Sequence, residues 1–179
     1  MIDLQPTPQK TTPRLILRAF NLADAEAFHR ILCEEGILRY FPSSEPPPLE
    51  RVEKFISRQG EHWSQHGYGL WALESRATGD LVGRSGLQYL PETGETEVDF
   101  ILGRAYWNQG LASEAGKTAL DFGFDELALE EIIGLVHPEN LASRRVLEKI
   151  GMRFVEEAEY FGMGVRKYKI NSIEFRTRY

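Results

Sequence analysis

The sequence predicts a mixed α/β fold: a central, mostly antiparallel twisted sheet of about seven strands flanked by about four helices, in one domain over 1–179. Two observations carry this. At 179 residues the chain is long enough for one well-filled core and short for two. Its apolar periodicity switches between two and 3.6 in the order β, α, α, three meandering β, α, β, α, two β, with no linker or repeat.

Residues 1–13 are polar and proline-bearing and read as a loose lead-in. Arg14-Leu15-Ile16-Leu17-Arg18 is a short β run. From Asn21 to Glu35 the spacing of Leu22, Ala25, Phe28, Ile31 and Leu32 predicts a helix stopped by Gly36. The prolines of FPSSEPPPLE remove donors and fix φ, so that stretch is a loop. A second helix follows over Leu49 to Gln65, with Val52, Phe55, Ile56, Gln59 and Trp63 on its apolar face.

From Gly67 the period becomes two. YGLWALE, the turn SRATGD and LVGRSGLQYL form a hairpin; PETGE turns again into TEVDFILG. A strong helix spans Ser113 to Leu127. EEIIGLVH is a short apolar strand suited to the middle of a sheet. The helix Leu141 to Ile150 closes at Gly151, and MRFVEEAEYFGMGVRKYKI gives two strands around Gly162 and Gly164.

Composition bounds the function. Cys33, the single cysteine, excludes an internal disulfide framework and a cysteine-based zinc site, and its helical setting predicts a small buried hydrophobe. No metal site is expected. A net charge of −6 argues against broad nucleic-acid binding. No apolar run reaches membrane-spanning length, and MIDLQPTPQKTTPR lacks a signal-peptide core, so no membrane partner and a cytoplasmic location are expected.

Two stretches carry chemistry. In WNQGLASEA a strand turns sharply into a helix whose first N–H groups are unpaired and electropositive. Gly110 and Ala112 let phosphate oxygens approach that backbone. Ser113 capping the helix is the plainer explanation of the same residues. The turn is neither GxxxxGK[ST] nor GxGxxG, and Gly162-Met163-Gly164 lies between strands. In HPENLASRRVLEKIGM, Asn140 stands at a helix mouth with Ser143 one turn in.

Joint occurrence of WxxGxASEA and PENxxSxxVLEKxGM, with TPRLILR leading into a helix, resembles the GNAT superfamily of N-acetyltransferases and its RimJ/RimL-type branch, over nearly the whole chain. The resemblance implies acetyl-CoA as co-substrate. Phe100, Ile101 and Leu102 would pair with the pantetheine arm through their backbone. Asn108, Gln109, Gly110, Leu111, Ala112 and Ser113 would seat the pyrophosphate, and Asn140 would bond the arm. Trp107 replaces the family's usual Arg or Gln, which leaves phosphate binding to backbone N–H groups and makes the indole a packing anchor. The tyrosine many members use as an acid falls at Leu147 and is absent. Ser143 matches a serine near the thioester sulfur in RimL-type enzymes.

Acyl transfer needs a neutral amine. An α-amine with pKa about 8 is partly neutral at pH 7, so a carboxylate acting through water suffices. Glu97 matches the family's strand glutamate and is the first candidate base; Asp99, on the same strand face, is the alternate, and a solvated strand edge is the plain reading of both. The expected reaction is direct acetyl transfer to a primary amine, best a protein or peptide N-terminus. A small amine, or an acetyl-CoA sensor without turnover, is the alternative. A homodimer is a family-level expectation.

Overall fold

The computed structural model describes residues 7–178. Its strands are β1 (Lys10–Thr11), β2 (Leu15–Arg18), β3 (Leu70–Ser75), β4 (Leu81–Leu90), β5 (Glu95–Leu102), β6 (Glu131–Val136), β7 (Arg153–Tyr160) and β8 (Met163–Asn171). They form one eight-stranded sheet in the order β1-β2-β3-β4-β5-β6-β8-β7. Every neighbouring pair is antiparallel except β5 and β6. The helices are α1 (Ala25–Leu32), α2 (Leu49–His66), α3 (Leu111–Asp121), α4 (Leu141–Lys149) and α5 (Ser172–Arg178).

Alternation along β5 sorts its side chains between two cores. Val98, Phe100 and Leu102 pack with Ala115 and Ala119 of α3 and with Trp71 and Leu87. Ile101 packs on the other cluster, with Phe28 and Ile31 of α1 and Val52 and Ile56 of α2. Period two therefore puts Glu97 and Asp99 on the α1–α2 side of the sheet.

Several expectations change. Lys10 and Thr11 of the supposed lead-in pair with Leu17 and Ile16, which adds an eighth strand, and α5 adds a fifth helix. The part of that lead-in before Thr7 lies outside the described residues. The first helix is shorter than Asn21 to Glu35. Asn21 and Asp24 form a reciprocal capping box around a 3-10 turn at Leu22–Asp24, which rotates Leu22 into solvent. The helix ends at Leu32, so Cys33 is exposed and not a buried hydrophobe. Further along, α3 starts at Leu111, two residues before Ser113, and its last turn widens into a π-helix at Phe122–Glu126.

Candidate active site

β5 and β6 run parallel but share one registered pair, Glu97 with Ile133. Beyond it they part. A cavity of about 610 Å³ fills the opening, lined by Val98 to Leu102 on one side and Leu135, Val136 and His137 on the other. β5 keeps its ladder to β4 along its whole length, so its edge on the cavity side holds backbone groups that no strand satisfies. Such an edge accepts an extended ligand bearing amides. α4 walls the opening; Gly134 admits it, because a Cβ there would stand 2.8 Å from Leu147.

At ~3.3 Å per residue, the run from Glu97 to Leu102 is roughly 16 Å long. At its far end Trp107 donates its indole N–H to the Leu102 carbonyl over 2.8 Å, which closes the turn. Asn108 has φ 58° and Gly110 φ 77°, so the chain reaches α3 through left-handed positions that Asn and Gly adopt most readily. Gly110 is the N-cap and no side chain caps the helix. Ser113, at the third helical position, is not the cap. Among the described residues, the N–H groups of Leu111, Ala112 and Ser113 have no backbone acceptor. Gly110 lies beside two cations: a Cβ there would be 3.6 Å from Arg14 Nη2 and 3.7 Å from Lys149 Nζ. Arg14 is itself ion-paired to Glu114 at 2.6 Å and donates to the Gln109 carbonyl at 2.7 Å. Unpaired N–H groups, a helix dipole and a nearby lysine fit a diphosphate.

At the near end Glu97 is 6% exposed, not a solvated strand edge. Its carboxyl accepts from Gln88 Nε2 at 2.6 Å and from the Leu135 backbone across the opening. Burial, and then the charge of Asp99, push its pKa up to about 8, outweighing the bond from Gln88 and the charge of Arg84. Asp99 is ion-paired to Arg84 at 2.6 Å, with both side chains largely buried. The two carboxyls thus differ: Asp99 is paired with a cation, and Glu97 is buried with a raised pKa.

The cavity wall gathers Glu97, Asp99, Phe100, Ile101, Leu102, Asn108, Gly110, Leu111, Ala112, Ser113, Asn140 and Ser143. Gln109 stands outside it, its carboxamide donating to the Ala105 carbonyl at 2.7 Å. Asn140 caps α4, its Oδ1 accepting from the Ser143 N–H at 3.1 Å. Leu147 is buried against the same wall. Sequence reasoning missed Gln88 and Arg84. A signal existed, because a four-residue turn between Leu90 and Glu95 sets Gln88 opposite Glu97. It also missed Tyr40 and His137, whose rings stack at 5.2 Å in the cavity wall. Nothing local pairs residues so far apart in sequence.

A family model described as the acetyltransferase (GNAT) domain matches residues 14–153. The chain is 31% identical over 145 residues to the uncharacterized N-acetyltransferase YnaD of Bacillus subtilis, covering 80% of this chain and 81% of that one. The crystal structure of a GNAT-family acetyltransferase from Bacillus anthracis superposes with a TM-score of 0.77 at 26% identity, covering 93% of this chain and 99% of that one. RimL, a ribosomal L7/L12 α-N-protein acetyltransferase in complex with coenzyme A, shares the fold at a TM-score of 0.76 and 16% identity, covering 93% and 98%.

Proposed function

The chain belongs to the GNAT acetyltransferase family, and from that premise we propose that it moves acetyl from acetyl-CoA directly to a primary α-amine, best the N-terminus of a protein or peptide. The observation that carries the reading is the opening between β5 and β6, with unsatisfied N–H groups at one end and a buried carboxyl of raised pKa at the other.

The chain's residues divide the work accordingly. The first N–H groups of α3 and Lys149 hold the diphosphate, and the free edge of β5 pairs with the pantetheine amides. Asn140 donates its side-chain amide N–H to the same arm. These contacts bring the thioester carbonyl toward Glu97. An ammonium has no lone pair, so Glu97, as carboxylate, takes a proton from the incoming amine directly or through one water. The neutral amine nitrogen bonds to the acetyl carbon, the C–S bond breaks, and the nitrogen's second proton passes to the departing thiolate, directly or through water, leaving an amide and a free thiol. A free thiol has a pKa near 8.5, so a hydrogen bond from Ser143 is sufficient help. Asp99 serves the site by raising the pKa of Glu97, not as a second base, because Arg84 holds it.

Calorimetry with acetyl-CoA, followed by thiol release over a panel of amines, tests the reading. Binding with amine-dependent thiol release is expected. Binding with no release on any amine would leave a sensor, and absence of binding would overturn both. Ser143→Ala should lower kcat several-fold and leave the KM for acetyl-CoA in place.

A further inference from the structure

Resting on that reading, we propose that the acceptor is an α-amino acyl group, in which one carbon carries the amine, a carbonyl and a bulky apolar side chain R, and that R is selected by a second cavity beside the carboxyls. This cavity, of about 380 Å³, lies between α1, α2 and the proline loop that joins them. Nine of its thirteen lining residues are apolar, among them Phe28, Leu32, Phe41, Val52, Phe55 and Ile101, and Ser43, Glu45, Arg51 and Arg84 are the polar ones. Its volume is far more than a hydrogen or methyl fills, and its mostly apolar lining favours an apolar R.

Geometry joins it to the chemistry. Phe41, Pro42, Arg84 and Ile101 line both this cavity and the active-site cavity, so the two share a wall. Ile101 projects from the same face of β5 as Glu97 and Asp99. An amine held at Glu97 therefore has its α-substituent on the side where the apolar cavity opens. Arg84 stands between them. Its guanidinium pairs with Asp99 and lies 5.0 Å from the centre of the Phe55 ring. Its Nε is buried and, among the described residues, has no hydrogen-bond partner. A buried N–H of that kind needs an acceptor, and the carbonyl next to the α-carbon supplies one. Amine, side chain and carbonyl each then meet a complementary group: Glu97, the apolar cavity and Arg84.

The test is a matched series in which only R changes: short peptides beginning with Gly, Ala, Ser, Asp, Leu or Phe, and the corresponding amino-acid amides, assayed by thiol release at fixed acetyl-CoA. Leu and Phe should exceed Gly by about ten- to a hundredfold in kcat/KM, chiefly through KM. The peptide and amide arms tell a protein N-terminus from a small amine by which shows that preference. Leu38→Trp fills the cavity from its half-buried rim, and Ser43→Trp does so from an exposed position. Each should shrink the Leu-to-Gly ratio. A flat series, a preference for Ser or Asp, or a ratio that neither variant moves would overturn the proposal. Acetyl-CoA binding without thiol release on any amine would instead sink the transfer reading, and this inference with it.

Discussion

Glu97 enters the fold at a cost that depends on pH. Its pKa is raised from an ordinary 4.5 to about 8 because the carboxyl is buried and faces Asp99. Between those values the folded chain holds a proton that the unfolded chain releases, so Glu97's contribution makes stability fall as pH rises from about 4.5 to about 8. Below that window both states are protonated and the penalty vanishes. Glu97→Gln removes the term: denaturant titrations should find the variant gaining on the native chain as pH rises through the window, and a constant difference would refute the assignment. Catalysis by the proposed route runs the other way, since there Glu97 works as a carboxylate. With an acceptor amine of low pKa, kcat should rise through about pH 8, and Glu97→Gln should lose that limb and roughly 10²-fold in rate. Asp99→Asn takes away a charge that raises the pKa of Glu97, so the limb should move to lower pH.

At the scale of the element, the turn into α3 is the part most dependent on one residue. Gly110→Ala forces a side chain into a left-handed conformation, at about 1–2 kcal/mol, and puts a methyl group at the proposed seat of the diphosphate. KM for acetyl-CoA should rise about tenfold while KM for the amine holds; equal changes in both would point to simple unfolding. The turn was legible in the sequence because its causes are local: Asn and Gly at left-handed positions, Trp107 folding back on Leu102, and small residues opening a helix. The fate of Gln109 was not, since its carboxamide chooses Ala105 over the cavity only once the preceding 3-10 turn exists. Leu22 and Cys33 erred for one reason. Helical periodicity says which residues share a face, but the Asn21–Asp24 box and the stop at Leu32 decide where that face begins and ends. The burial of Glu97 was likewise hidden, because it depends on β6, which the chain brings alongside β5 only after α3.

For the whole molecule, the sheet order follows from the meander and from two crossovers, β5 to β6 through α3 and β6 to the edge strand β7 through α4, each readable as a change of period. The separation of β5 from β6 is not, because each strand alone looks ready to pair along its length. That separation leaves β1 to β5 and β6 to β8 joined in the sheet by one registered pair, with the rest of the connection borne by α3 and the shared core. A ligand lying along β5, with its phosphates on α3 and its arm against α4, touches both parts and binds only when they are assembled. At a hundredfold excess over Kd it should add about 2.7 kcal/mol, which for a chain of this size raises Tm by roughly 5–10 °C. Hydrogen exchange locates the effect. Acetyl-CoA should slow exchange at Val98 to Leu102, at Leu111 to Ser113 and in α4 together, since one bound molecule braces all three. Protection confined to the α3 turn would show that the phosphates dock without the arm entering the opening, and the placement of the thioester beside Glu97 would fail.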